Sequence, residues 1–413
     1  MYNIKYFNIN FDIESDPGNL EKHITSHVSQ LALEGKSYYK VLSPINIHEQ
    51  LSGLDQLANK IRNNFVNLIV IGMGGATLNP SAVISLIKPK SRNTAFKIHF
   101  LDNTDPYYFR ELLSNLELRD TAFLTISNSG QTLETLSLLG CVIEECRKLN
   151  INTDRDNFYF ITNKTDNALI NIAKQIGGII LPHEQHISGR YSGLTNVTTF
   201  AVMILGLNPE EYLIGAKEVL TDFHQNLAYS KPVKAARAIY HSSKHTMINV
   251  GYLQRFASYL EWYSQIISES LGKNSSGYTP VKGLGPNDQH SMFQLYLGGP
   301  PDKIFTMFYA DLDDNSSQTK AIDLQALGDI AGKDLSSINE INFTAASTAL
   351  IKQQLPVRKF ILDSLQERSI GALIAHSMVE IIVLAHFLQV NPFDQPGVEL
   401  IKSEALELLK NKK

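Results

Sequence analysis

Cysteine is nearly absent from this chain: two residues, Cys141 and Cys146, among 413. They stand five apart in a stretch with helical patterning, which places them on different faces. That excludes a disulfide framework and points to a reducing compartment. No Cys/His group has the spacing of a zinc site, so no metal is expected. Charge of one sign is missing as well. The 37 Lys and Arg residues nearly balance 41 Asp and Glu, for a formal charge of −4, and no basic stripe stands out, which argues against a nucleic-acid partner. Long apolar runs are lacking too. The strongest candidate, GALIAHSMVEIIVLAHFL, is broken by His376, Glu380 and His386, so it reads as a buried helix rather than a membrane span. The opening MYNIKYFNINFDIESD has no basic start followed by an apolar core. No secretory signal is therefore expected, and the chain is expected to be cytoplasmic, acting on a small neutral or anionic metabolite.

What is present is ordinary globular composition, 43% hydrophobic and 19% charged, at a length that suggests two or three domains. Residues 1–50 are polar and mixed and read as an extension packed on the core. VNLIVIG (66–72) is a continuous apolar run, as a central parallel strand requires. The turn MGGAT follows, and Pro80 suggests a helix start running through Ile87. KIHFLD (97–102), TAFLTIS (121–127), NFYFIT (157–162) and GGIIL (177–181) repeat the strand signal, with a helix expected from about Gln131 to Leu149. Alternation of this kind predicts an α/β fold with a doubly wound, mainly parallel sheet. A helical linker is expected over 196–240. A second series then begins with TMINVGY (246–252), a helix through about Ser268 and KIFTMFY (303–309). GKNSSGYTPVKGLGP reads as an ordered loop, residues 369–389 as helix, and EALELLK closes the chain.

SNSGQTLET (127–135) follows a strand and opens a helix, where open α/β sheets bind ligands. A helix N-terminus offers free N–H groups to an anion, Ser127, Ser129 and Thr132 add hydroxyls, and Gly130 lets the backbone approach. The same residues also suit an N-capped helix after a serine-rich turn, and the segment alone does not decide between the two. IGMGGAT (71–77) is a poor dinucleotide fingerprint. Thr77 stands where the third glycine belongs, and the next acid, Asp102, comes late. A glycine turn, with Gly74 and Gly75, that shapes a sugar pocket fits as well.

Four later clusters carry acid, base or cation: ISGRYSG with Arg190, SESLGKN with Glu269, GLGPNDQHSMFQL with His290, and FDQPGVELIK with Gln395 and Lys402. Singly, each is what a surface ion or a satisfied loop histidine looks like. In this order, together with SNSGQTLET, the segments resemble the phosphoglucose isomerase family from about Ile71 to Lys402. The resemblance implies two sugar-isomerase (SIS) domains, each a mainly parallel sheet flanked by helices. They would lie at 51–195 (phosphate-binding) and 241–413, the latter including the C-terminal helices. It implies a sugar-phosphate substrate, no metal or organic cofactor, and a homodimer with composite active sites.

Carried onto this sequence, the resemblance makes Glu269 the base that moves a proton between C2 and C1. His290, from the partner subunit, and Lys402 would assist ring opening. Arg190 would face the enediolate, Ser127, Ser129 and Thr132 would hold phosphate, and Gly74, Gly75 and Gln395 would contact substrate. The reaction implied is interconversion of glucose 6-phosphate and fructose 6-phosphate. A relative accepting mannose 6-phosphate and a non-catalytic SIS-type sugar-phosphate sensor are the alternatives. The chemistry suits the residue types. A positioned carboxylate abstracts a proton beside a carbonyl, imidazole shuttles protons near neutrality, and a fixed guanidinium stabilises developing oxyanion charge. Three positions depart from the family pattern: Ala76 in the glycine turn, Asn128 where lysine is common, and Pro396 where tryptophan is frequent.

Overall fold

A computed structural model describes residues 1–9, 12–87, 96–153, 156–163, 166–311 and 319–411. In chain order its strands are β1 (Tyr2–Phe7), β2 (Asn67–Ile71), β3 (Lys97–Leu101), β4 (Thr121–Ile126), β5 (Phe158–Thr162), β6 (Ile179–Pro182), β7 (Thr246–Gly251), β8 (Thr279–Leu284), β9 (Lys303–Ala310) and β10 (Val357–Leu362). They form two sheets, ordered β3-β2-β4-β5-β6 and β1-β10-β9-β7-β8. All pairings in the first sheet are parallel. In the second, β1 runs antiparallel to β10 and the remaining pairs are parallel. The fold is α/β with parallel sheets flanked by helices, as the strand–helix alternation predicts.

The pleat sorts each strand between two layers. On β2, β4 and β5, Ile69, Ile71, Phe123 and Phe160 enter one core while Leu68, Val70, Leu124 and Ile161 enter the other. The second sheet divides likewise, with Ile248, Val250 and Met307 on one side and Met247, Ile304 and Phe308 on the other. Both faces are buried, which is why the central strands read as unbroken apolar runs. Helix Glu367–Phe387 is long and apolar enough to cross a membrane but lies inside the protein. It packs against Pro209–Asn226 and Lys231–His241, two of the helices within 196–240. Its polar residues are satisfied internally: Arg358 Nη1 donates to Glu380 Oε2 at 2.9 Å, and Tyr2 Oη meets His376 Nδ1 at 2.9 Å.

Several local expectations shift. The helix after β2 spans Gly75–Leu86 and carries Pro80 within it, because Gly74, at φ 55°, turns the chain straight from strand to helix. The first residues of the chain form a strand of the second sheet. GKNSSGYTPVKGLGP, read as loop, contains β8, whose side chains are mostly not fully buried and which therefore lacks the apolar signature of an interior strand.

Candidate active site

The carboxyl ends of β2 and β4 open onto a cleft of about 700 Å³. Ser127, Ser129 and Thr132 form one wall of its lining, and Gln395, Glu399 and Lys402 another part. Chain geometry fixes the first wall. β4 ends at Ile126, Gly130 at φ 65° reverses the chain, and helix Leu133–Lys148 begins with Thr132 at its N-cap and no side-chain cap bond. A Cβ at Gly130 would come within 2.0 Å of Asn167 Oδ1, so only glycine fits there. The hydroxyls bond within the turn: Ser127 Oγ lies 3.0 Å from Thr132 Oγ1, and Gly130 N–H donates to Ser127 Oγ at 3.1 Å. The hydroxyls thus shape the turn without capping the helix, whose first N–H groups are left without a side-chain partner at the N-cap.

Deeper in, Arg190 is the junction. Its side chain is 1% exposed and its five N–H donors are all engaged. Nε–H donates to Ser270 Oγ (3.0 Å), and Nη1 donates to Glu269 Oε2 (3.1 Å) and Gln395 Oε1 (2.7 Å). Nη2 donates to the carbonyls of Pro392 (2.7 Å) and Asp394 (3.0 Å). Its backbone is held as well. Trp262 Nε1–H donates to Arg190 O at 2.9 Å, and Asn79 Nδ2 donates to Gly189 O at 2.8 Å. Gly75 abuts this segment so closely that a Cβ would lie 2.1 Å from Gly189 O. The glycine turn therefore sets the position of Arg190 by contact. Ala76, which departs from the pattern of the resemblance, also lines the cleft and brings no hydroxyl to it.

Glu269 lies near the end of helix Ala257–Leu271 with its side chain 26% exposed. Gln265, one turn earlier, donates Nε2–H to Glu269 Oε1 at 2.9 Å, while its own Oε1 is buried without a partner among the described residues. Gly74 sits beside Gln265. Both carboxylate oxygens of Glu269 thus receive donors, which fixes the plane of the group. Gln265 was missed from sequence; the signal was its i, i+4 spacing to Glu269. Lys273 was missed too. It pairs with Asp394 at 2.9 Å and donates to Asn391 O. With Arg190 it clamps the segment that delivers Gln395, and burial lowers its pKa against the opposing pull of Asp394.

The structure brings together Gly74, Gly75, Arg190, Glu269 and Gln395, and places Ser127, Ser129, Thr132 and Lys402 around the adjoining cleft. Lys402 pairs with Glu399 at 2.8 Å, which lowers the Glu399 pKa. His290 stands apart. It ends the exposed turn Asn287–His290 and does not line the cleft of its own chain.

A family model described as phosphoglucose isomerase matches residues 54–413. A glucose-6-phosphate isomerase of Methanocaldococcus jannaschii is 30% identical over 361 residues, covering 85% of this chain and 86% of that one. Among solved structures, a hypothetical protein from Thermus thermophilus superposes with a TM-score of 0.84 at 26% identity over 94% of both chains. A glucose-6-phosphate isomerase from Chlamydia trachomatis shares the fold, with a TM-score of 0.78 at 20% identity over 100% of this chain and 82% of its own. Since the matched span takes in the glycine turn, the hydroxyl-bearing turn, Arg190, Glu269 and the C-terminal helix, the chain belongs to the phosphoglucose isomerase family.

Proposed function

We propose that this protein interconverts glucose 6-phosphate and fructose 6-phosphate by proton transfer through an enediolate. The observation that carries the reading is the junction at Arg190, where one buried guanidinium holds a partly exposed carboxylate and an amide at the edge of a hydroxyl-lined cleft. A cleft of this size suits a small polar metabolite. Phosphate binds at Ser127, Ser129 and Thr132, against the uncapped start of helix Leu133–Lys148. Glu269 takes the C2 proton of the open-chain sugar and returns it to C1. When Gln395 turns its amide to a substrate hydroxyl, one N–H of Arg190 is released toward the enediolate oxygen. Lys402 leaves Glu399 to assist ring opening. The exposed His290 serves the cleft of a second copy, so the working unit is a homodimer acting in the cytoplasm.

The test is a coupled assay on purified protein with glucose 6-phosphate and mannose 6-phosphate side by side, for wild type and Glu269→Gln. Wild type turns over the glucose ester faster, and the variant loses about 10² to 10⁴ in kcat, the range for a positioned base. Turnover by the variant near that of wild type would remove Glu269 from its role. An inactive wild type would end the reading altogether.

A further inference from the structure

The cleft must hold a phosphate dianion, yet the charges on its walls do not favour one. Among the described residues lining it, Glu134 and Glu399 are anionic and Lys402 is cationic but already paired with Glu399. Asn128 occupies the place in the hydroxyl turn where a lysine would have added charge. Two histidines remain, His183 and His186, both on the cleft wall. His183 is unsuited to carry charge: it is buried, burial lowers its pKa, and its Nδ1–H is spent on Glu184 O at 3.0 Å. His186 is exposed, stands at φ 64°, and packs edge-on to Tyr38 with ring centroids 6.1 Å apart.

Two further observations link the segment that carries His186 to the hydroxyl turn and the cleft. Asn128 Nδ2 donates to Ile187 O at 3.2 Å, which ties the hydroxyl turn to the residue after His186. Ser188, two residues on, also lines the cleft, and its Oγ is out of solvent contact with no partner among the described residues. Rotated about its Cα–Cβ bond into the cleft, that hydroxyl would find in a phosphate oxygen the acceptor it lacks.

We infer that His186 is the cation of the phosphate subsite, with Ser188 as an added hydroxyl donor, together replacing the missing lysine of the turn. This rests on the sugar-phosphate reading above. Only the protonated ring carries this charge, so affinity depends on that proton and weakens when it leaves. The Tyr38 ring packs on His186, Glu184 two residues before it is ion-paired to Lys40, and the other titratable groups lining the cleft are His183, Glu134, Glu399 and Lys402. None of them supplies a free cation in its place.

The experiment measures KM for glucose 6-phosphate from pH 6 to 8.5 in wild type, His186→Asn and His186→Lys. Calorimetric titration with sulfate, whose charge is constant over this range, accompanies it. Asparagine tolerates the left-handed backbone, and lysine restores a permanent charge. At pH 6.5 His186→Asn should raise KM about tenfold, as for loss of one charge-assisted contact, with most of the loss in kcat/KM carried by KM. His186→Lys should return KM to within about threefold of wild type and flatten its pH dependence. A KM in His186→Asn close to that of wild type overturns the inference, as does a lysine variant no better than the asparagine one. If wild type proves inactive, the functional reading falls while sulfate affinity still decides the point: weaker binding by His186→Asn supports the inference and equal binding refutes it. Should that variant fail to fold, sulfate binding to wild type that does not weaken with rising pH is the refuting result.

Discussion

Two buried arginines, Arg190 and Arg358, make the same kind of pair in different surroundings. Each side chain is 1% exposed, and each donates to a carboxylate, Glu269 at 3.1 Å or Glu380 at 2.9 Å. The difference lies in the acid. Glu380 is 2% exposed and Glu269 is 26% exposed. Burial would push the Glu380 carboxyl up, but Arg358 and the hydrogen bonds from His376 and Tyr263 override it and hold the pKa down at about 2. Arg358 also donates to Thr306 Oγ1 at 2.8 Å, so β9, β10 and helix Glu367–Phe387 are joined at one point. An ion pair sealed on both sides ties secondary structure together. One left open on the acid's side can present that acid to a substrate.

The comparison breaks most visibly under truncation. Arg358→Ala strands Glu380 as an uncompensated buried charge and should cost about 3–5 kcal/mol, read by denaturant unfolding. The fraction that stays folded should keep its KM. Arg190→Ala should lower kcat by about 10² to 10³, as for loss of an oxyanion donor, with a smaller fall in stability, because Glu269 can hydrate. If Arg190→Ala unfolds the protein as severely as Arg358→Ala while its folded fraction turns over normally, the two arginines do one job and the distinction fails.

Acid sharpens the same contrast. The pKa of Glu380 lies below its ordinary 4.5, so its contribution is complete above that value and is lost as the pH falls toward 2. Burial also lowers the His376 pKa, so its neutral form favours the native state near neutrality and destabilisation begins as the medium drops below the ordinary histidine range. A series of thermal melts should show stability declining first below about pH 6.5 and again below about pH 4.5. Glu380→Gln should abolish the second decline. Its persistence in that variant would assign it to other carboxylates.

These contrasts also mark what the sequence discloses. Strands β2, β4, β5, β7 and β9 are legible because both faces are apolar. β10 is not, since Arg358 and Lys359 interrupt its apolar pattern, and burial of Arg358 becomes possible only when Glu380 is brought to it by the helix that follows. The hydroxyl turn is legible from local order as a strand-to-helix turn, but its role is not. Arg190, Glu269 and Gln395 were placed by resemblance, since nothing local says that three segments so far apart converge. Gln265, Lys273, Ser188 and His186 gain their meaning from what the folded chain sets beside them.

The pairing of β1 with β10 has a consequence for how the molecule is made. Tyr2 is aligned with Leu362, and the amino terminus of Met1 bonds to Asp363 at 2.7 Å. During synthesis β1 is made well ahead of β10 and waits for most of the intervening chain before its partner exists. The first sheet, whose strands all lie within the first half of the chain, can form during that interval. Closure of the second comes late and depends on a distant contact. Substitutions in β1 should therefore disturb the final stage of assembly, in the half of the protein farthest from it in sequence.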